Sequence, residues 1–184
     1  MKIDYSEQML TWEWDDSVIK IELPDIIHAE YNKDENIVVV YNGENFVSNI
    51  IFYFSLEGKL LGQQNLLEGT LDWNHNGKQQ ISFHHLHCLR FSPKCQRILS
   101  IFRSSSDFDV PSELGVYNLE GEKIYQIESP AGFTMLYISE ISKEKLRIVC
   151  EALKEDCFDK SGRSDFYFNL DLETRKRVKD GIAY

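Results

Sequence analysis

The sequence predicts an all-β fold built from antiparallel strands. Short runs rich in β-branched and aromatic residues occur along the whole chain, and each is bounded by Gly, Asn, Asp, Ser or Pro. No segment shows the spacing of apolar residues that marks an amphipathic helix. Three segments also share one pattern of strand, tight turn and strand. With 184 residues, 42% of them hydrophobic, the chain is expected to form a single domain over residues 1–184.

The predicted strands follow one another with mostly short connections. Their order predicts an acidic N-terminal hairpin over residues 1–25 and four-stranded repeat units over 26–67, 80–128 and 133–180, with a long loop over Glu68–Lys78. The predicted strands are Leu10–Trp14, Val18–Leu23, Ile26–Tyr31, Ile37–Tyr41, Ile50–Leu56, Lys59–Asn65, Gln80–Phe91, Arg97–Arg103, Leu114–Leu119, Lys123–Ile127, Met135–Ile141, Lys145–Leu153, Asp165–Leu170 and Arg175–Lys179.

The three units share a turn. An aromatic strand ends on Leu-Glu and the chain reverses at once, at Leu56-Glu57, Leu119-Glu120 and Leu172-Glu173. Gly58 and Gly121 follow the first two pairs and supply the positive φ that such a turn favours, whereas Thr174 follows the third. The pattern therefore predicts copies of one supersecondary unit.

Two segments resemble the blades of β-propellers of the WD-repeat and TolB-like kind. The run from Leu89 to Ser100 resembles the first hairpin of a blade, in which a strand ends in Phe-Ser-Pro. The run from Asp171 to Val178 resembles the Asp-x-x-Thr-Gly-Lys turn of such blades, with Arg175 in place of the glycine. The resemblance implies three blades plus the N-terminal hairpin, as an open or incomplete propeller. A β-sandwich is the alternative.

Charge and hydropathy narrow the classes of partner. Thirty acidic and twenty basic residues give a formal charge of −10, which argues against a nucleic-acid partner, because such surfaces are basic. The first residues lack the apolar core of a secretory signal, and no window reaches the ~18 apolar residues of a membrane span. We therefore expect a cytoplasmic protein that does not contact a membrane.

The excess negative charge is concentrated near the start of the chain. Residues 1–35 contain ten acidic and three basic side chains, interleaved with aromatic residues. Such a surface is suited to a basic protein, because opposed potentials speed association and aromatic side chains anchor the complex. The alternative is an edge hairpin kept soluble by its charge. The candidate partner-binding residues are Trp12, Glu13, Trp14, Asp15, Asp16, Glu22 and Asp25.

The run His84-His85-Leu86-His87 is the strongest candidate for a metal site. On one continuous strand, His85 and His87 would share a face and His84 would lie on the other. Zinc needs three or four ligands, and the sequence offers only loop residues to complete the set, so we predict no metal and no cofactor. The additional loop candidates are His75, Asp72 and Cys95.

The remaining sequence motifs do not indicate catalysis. No nucleophile elbow, zinc-protease helix or phosphate-binding loop occurs. The four cysteines form no C-x-x-C pair, so we expect reduced thiols without a chemical role. They are Cys88, Cys95, Cys150 and Cys157.

These observations predict a non-enzymatic, acidic protein-binding domain. By analogy with a class of small acidic proteins, the specific expectation is an immunity protein that blocks a basic toxin, such as a nuclease of a contact-dependent inhibition system. One alternative is a propeller-type scaffold or self-assembling module, in which two chains form a homodimer. A hydrolase with a His-lined site is the least favoured alternative.

Overall fold

The computed structural model describes residues 1–107 and 110–183, and within them it confirms the prediction of an all-β, antiparallel fold. One 3₁₀ turn, Glu155–Cys157, is the sole helical element of these ranges. The strands are β1 (Ile3–Ser6), β2 (Met9–Trp14), β3 (Ser17–Glu22), β4 (Ile26–Asn32), β5 (Ile37–Glu44), β6 (Val47–Phe54), β7 (Leu60–Asn65), β8 (Thr70–Asn74), β9 (Lys78–Ser82), β10 (Leu86–Ser92), β11 (Arg97–Phe102), β12 (Glu113–Tyr117), β13 (Lys123–Glu128), β14 (Phe133–Ile141), β15 (Lys145–Ala152), β16 (Asp165–Asp171) and β17 (Arg177–Ile182).

The strands of the described ranges form four sheets, and each sheet follows chain order. Strands β1–β3 form the first sheet, β4–β9 the second, β10–β13 the third and β14–β17 the fourth. Every neighbouring pair is antiparallel and is joined directly along the chain. None of the described residues belongs to a helix long and apolar enough to cross a bilayer.

The predicted loop Glu68–Lys78 is wrong, because it contains β8. Leu71 and Trp73 alternate with polar residues, and both side chains are buried. This period of two is the signature of a strand with one face in the core. Strands β8 and β9 belong to the same sheet as β4–β7 and extend it to Ser82.

The predicted strand Gln80–Phe91 is also wrong in detail, since it is two strands of different sheets. Strand β9 ends at Ser82, and β10 begins at Leu86. Between them His84 and His85 form a turn, and His85 has a φ of 51°, which no strand accommodates. The N-terminal hairpin gains β1 and becomes a three-stranded sheet.

The turn that the three segments share begins in the same way each time. The residue that begins each turn is polar, and its side chain accepts a hydrogen bond from a backbone N–H of the turn; these residues are Ser55, Asn118 and Asp171. Gly58 and Gly121 have φ angles of 82° and 81°, as the sequence pattern requires. The third turn is one residue longer, since the N–H of Asp171 bonds to the carbonyl of Lys176. Arg175, with a φ of 60°, therefore takes the left-handed position in that turn.

The chain divides into two compact units, Met1–Phe83 and His84–Tyr184. In the first unit, Leu10 and Trp12 of β2 pack against apolar side chains of the six-stranded sheet. The indole Nε1 of Trp12 also donates a hydrogen bond to the carbonyl of Leu56, 2.8 Å away. The buried members of this core are Leu10, Trp12, Ile26, Ala29, Val38, Val40, Phe54 and Leu56.

The second unit has a core of its own, formed between its two four-stranded sheets. Strands β11 and β12 supply one side of this core and β14, β15 and β16 the other. Polar contacts join the same sheets, since Tyr125 donates to the carbonyl of Leu172 at 3.0 Å and Arg90 donates to that of Ile138 at 3.2 Å. The single-domain organisation stays a prediction.

The two tryptophans of β2 provide a test of this packing. Trp12→Phe removes an indole hydrogen bond inside the core, so we expect the free energy of unfolding to fall by about 1–3 kcal/mol. The matched change Trp14→Phe, at a half-open site on the same strand, is expected to change it by less than about 0.5 kcal/mol. Urea unfolding followed by circular dichroism measures both, and equal costs would contradict the assigned role of Trp12.

Candidate protein-binding surface

The β2–β3 hairpin ends in the turn Asp15-Asp16. Trp14 pairs with Ser17 across the hairpin, so the two aspartates form the whole connection. Their φ angles of 49° and 59° are those of a type I′ turn, which requires two left-handed residues. Asp adopts this conformation more readily than most residues. The tight turn therefore displays two exposed carboxylates at the end of the hairpin.

The turn itself does not require two carboxylates. Asn-Gly fits both left-handed positions better and carries no repulsion between like charges. Within the described ranges, neither Asp15 nor Asp16 makes a side-chain hydrogen bond or an ion pair. Glu13 on β2 is exposed as well. We call Glu13, Trp14, Asp15 and Asp16 the acidic tip.

The two predicted aromatic anchors of β2 differ in exposure. Their spacing places Trp12 and Trp14 on the same face of the strand. Trp12 is 2% exposed and lies in the core of the first unit, so its ring is not available to a partner. Trp14 lies at the end of the hairpin, and its side chain is 38% exposed. Only Trp14 therefore belongs to the surface.

Glu22 and Asp25 are separated from the acidic tip. Glu22 ends the six-residue strand that begins at Ser17, so the backbone there lies about 17 Å from the turn. The Glu22 carboxylate is 3.4 Å from the ammonium of Lys20. Asp25 lies in the connection to β4, with an exposed side chain. The predicted residues thus divide between two ends of the hairpin.

An open cleft of about 630 Å³ adjoins the acidic tip. Trp14, Val18 and Tyr31 contribute its apolar lining. Lys2 and Asp4 also line it, and their charged groups are 2.7 Å apart. Both of these side chains are largely exposed, so this ion pair adds little to stability. The cleft thus forms a concave surface beside the acidic tip.

The charge asymmetry follows the boundary between the two units. Residues 1–83 contain fourteen acidic and five basic side chains, and residues 84–184 contain sixteen and fifteen. Nine of the ten excess negative charges therefore belong to the first unit. Its basic residues are all lysines, and two of them, Lys2 and Lys20, pair with acidic neighbours.

A second exposed hairpin was missed by reasoning from the sequence. Strands β5 and β6 extend toward each other beyond their predicted limits and meet at Asn45-Phe46, since Glu44 pairs with Val47. The φ angles of Asn45 and Phe46 are 51° and 63°, and Phe46 is 92% exposed. The Asn and Gly residues between the two strands indicate a turn. The register that places Phe46 in that turn is known only from the structure.

The histidine run does not form the predicted strand face. His84 and His85 lie in the turn before β10, and His87 lies on β10 itself. All three side chains are exposed. In the part of the chain that the structure describes, no group of three or more His, Cys, Asp or Glu side chains is arranged to hold a metal ion. The absence of a metal or cofactor stays a prediction.

The second unit contains an open cleft of about 560 Å³ at one end of its last sheet. Arg147 lines this cleft and lies 3.1 Å from each of the carboxylates of Glu140 and Asp180. Its guanidinium also lies 3.9 Å from the ring centre of Tyr167. These contacts raise the pKa of Arg147, with the hydrogen bond to Glu140 as the largest cause. The guanidinium of Arg147 therefore makes its contacts with other strands of the same sheet.

The four cysteines are free thiols. Cys150 lies in the core between the two sheets of the second unit, and burial raises its pKa to about 12. Burial also raises the pKa of Cys88. A thiolate is the reactive form of cysteine, so neither environment activates a nucleophile.

Fold and surface together define an all-β protein of four antiparallel sheets with an acidic first unit. No family model and no curated protein matches the chain. Among solved structures, the chain is similar to the N-terminal domain of Nup159, at 10% identity and a TM-score of 0.45, over 97% of this chain and 57% of that chain.

Two further structures show the same level of similarity. One belongs to an S. cerevisiae Dbp5 complex with Nup159 and Gle1, at 10% identity and a TM-score of 0.43, over 97% of this chain and 60% of that chain. The other is a eukaryotic initiation factor, at 9% identity and a TM-score of 0.43, over 98% of this chain and 54% of that chain. The chain thus spans a little over half the length of these structures. TM-scores below 0.5 assign neither a family nor a function.

Thiol labelling tests the burial of Cys150. At pH ~8 we expect iodoacetamide to modify Cys95 in the folded protein at least ~100-fold faster than Cys150, because Cys150 is fully buried and protonated. In urea the two rates are expected to become similar. Peptide mass spectrometry measures both, and rapid labelling of Cys150 in the folded protein would contradict its placement.

Proposed function

We propose that this chain is a non-enzymatic protein-binding domain whose first unit docks a basic protein. The observation that carries the proposal is the restriction of nine of the ten excess negative charges to residues 1–83. A uniformly acidic protein gains solubility from its charge, whereas a one-sided charge also orients an approaching cation-rich partner. The acidic tip adds carboxylates that no ion pair within the described ranges neutralises.

The specific form of the proposal is a neutralising protein for a basic toxin, such as a nuclease of a contact-dependent inhibition system. The active cleft of a nuclease binds phosphate through Lys and Arg side chains. Carboxylates accept hydrogen bonds from the same cations, so Asp15 and Asp16 would occupy the positions of substrate phosphates. Trp14 would supply apolar contact beside them.

The repeat architecture supports a propeller-like form of this domain. Strands β10–β13 and β14–β17 each form a four-stranded meander in chain order, as a propeller blade does. Strands β4–β7 follow the same order within the larger sheet. We propose that these three meanders are blade-like repeats of an open propeller. The homodimer and the cytoplasmic location stay predictions.

Charge reversal at the acidic tip tests the proposal. The protein is mixed in turn with the product of each gene that flanks its own gene, and the dissociation constant is measured by isothermal titration calorimetry at about 50 and about 500 mM salt. We expect one basic product to bind, with weaker binding at high salt. The variant Asp15→Lys/Asp16→Lys is expected to weaken that complex by roughly tenfold or more.

A matched control separates local from total charge. Glu155 and Asp156 are adjacent, exposed acidic residues of the second unit, and their reversal to lysine changes the formal charge by the same amount. We expect Glu155→Lys/Asp156→Lys to change the dissociation constant less than about twofold. The proposal fails if no flanking product binds, if salt has no effect, or if both double variants weaken binding equally.

A further inference from the structure

The end of the β5–β6 hairpin exposes two adjacent apolar side chains. Phe46 is 92% exposed and Val47 is 64% exposed. Phe46 is the most exposed large hydrophobic side chain of the described ranges. Exposed aromatic rings of this kind are enriched where proteins bind other proteins.

Phenylalanine at position 46 does not stabilise the turn. Residue 46 has a φ of 63°, and a bulky side chain in the left-handed region is an outlier. The preceding residue is Asn45, so a glycine at 46 would complete the Asn-Gly pair that this turn favours. Phe46 therefore combines an unfavourable backbone with a ring that packs little against its own chain.

The base of this hairpin is held in place. Between the pairs Asn42–Ile50 and Gly43–Ser48, β6 contains one extra residue, Asn49, which forms a bulge. A Cβ at Gly43 would collide with the carbonyl of Val47. The N–H of Gly43 donates to the carbonyl of Asp25 at 2.9 Å, and the side-chain amide of Asn42 donates to the carbonyl of Pro24. The turn thus has a defined position beside the β3–β4 connection.

Three acidic residues line the same cleft as Phe46. An open cleft of about 510 Å³ is lined by Phe46 together with Glu7, Asp25 and Glu44. No lysine or arginine lines this cleft within the described ranges. A complementary partner therefore presents a cation that can also contact an aromatic face.

Arginine fits this combination better than lysine. Its planar guanidinium stacks on an aromatic ring and pairs with carboxylates through two parallel hydrogen bonds. Lysine offers a compact ammonium that carboxylates attract but that gains less from the ring. The cleft and the ring together thus favour a guanidinium.

We propose that the β5–β6 hairpin end is a docking site for an arginine-bearing segment of a protein, with Phe46 as the stacking surface and Glu7, Asp25 and Glu44 as the acidic rim. This inference rests on the proposed function, because it names the kind of segment by which a basic partner is anchored. The acidic tip of the β2–β3 hairpin would then attract the partner at longer range, whereas Phe46 would contact it directly.

Two labelled dodecapeptides test the site. One alternates arginine with glycine, and the other has lysine in place of every arginine. Fluorescence anisotropy measures their affinities for the full-length protein. We expect the arginine peptide to bind roughly 3- to 10-fold more tightly than the lysine peptide. In Phe46→Gly this preference is expected to fall to about one, while the urea midpoint rises because glycine accepts the positive φ.

Two control variants locate the preference. Leu67→Ala removes another apolar side chain of the first unit, 77% exposed, and is expected to leave the arginine preference unchanged. Asp15→Lys/Asp16→Lys is expected to weaken both peptides by a similar factor, so the preference again persists. These controls separate contact with the Phe46 ring from general attraction to an acidic surface.

The inference is overturned if the wild-type protein binds neither peptide, binds both equally, or keeps its arginine preference in Phe46→Gly. A preference lost in Asp15→Lys/Asp16→Lys but kept in Phe46→Gly would also overturn it. That last outcome would support the acidic tip as the contact surface, so the proposed function would survive. Failure of the proposed function itself is judged separately, on the products of the flanking genes.

Discussion

The burial of Trp12 against the six-stranded sheet is the contact on which the acidic hairpin depends. A three-stranded sheet such as β1–β3 buries little apolar surface by itself, so it needs a second layer. Leu10 and Trp12 provide that contact, and the indole hydrogen bond to Leu56 links it to the turn of the first repeat. With its apolar face fixed against the core, the hairpin presents Glu13, Asp15 and Asp16 to solvent.

The ends of the β2–β3 and β5–β6 hairpins differ in their chemistry. The β2–β3 end carries adjacent aspartates, whose charge acts over about a Debye length, roughly 8–10 Å at moderate salt. The β5–β6 end carries the exposed side chain of Phe46. An apolar ring adds binding energy only in direct contact, where water is excluded. In many protein complexes, opposite charges speed the encounter of the two proteins, and contacts between buried side chains then hold the complex together.

Much of the fold could be predicted because strand signals are local. Runs of β-branched and aromatic residues bounded by turn residues identified most strands, and the Leu-Glu pairs identified the recurring turn, including the positive φ of Gly58 and Gly121. The errors arose where the local pattern was ambiguous. The His84-His85 turn lies inside a continuous run of strand-forming residues, and β8 was hidden among Gly, Asn and Asp residues that usually mark a loop.

By itself, the sequence determined the all-β class, the repeated turn and the location of the excess charge, because these follow from composition and from spacing along the chain. Tertiary structure alone decided which side chains of the predicted surface face solvent. Trp12 and Trp14 are the same kind of residue on the same face of β2, yet only Trp12 is buried in the core. The pairing of β5 with β6 similarly places Phe46 in an exposed turn, which the sequence pattern did not predict. The burial of a strand residue depends on the side chains that pack on that face of the sheet from the other layer. The sequence of the strand itself does not identify those side chains.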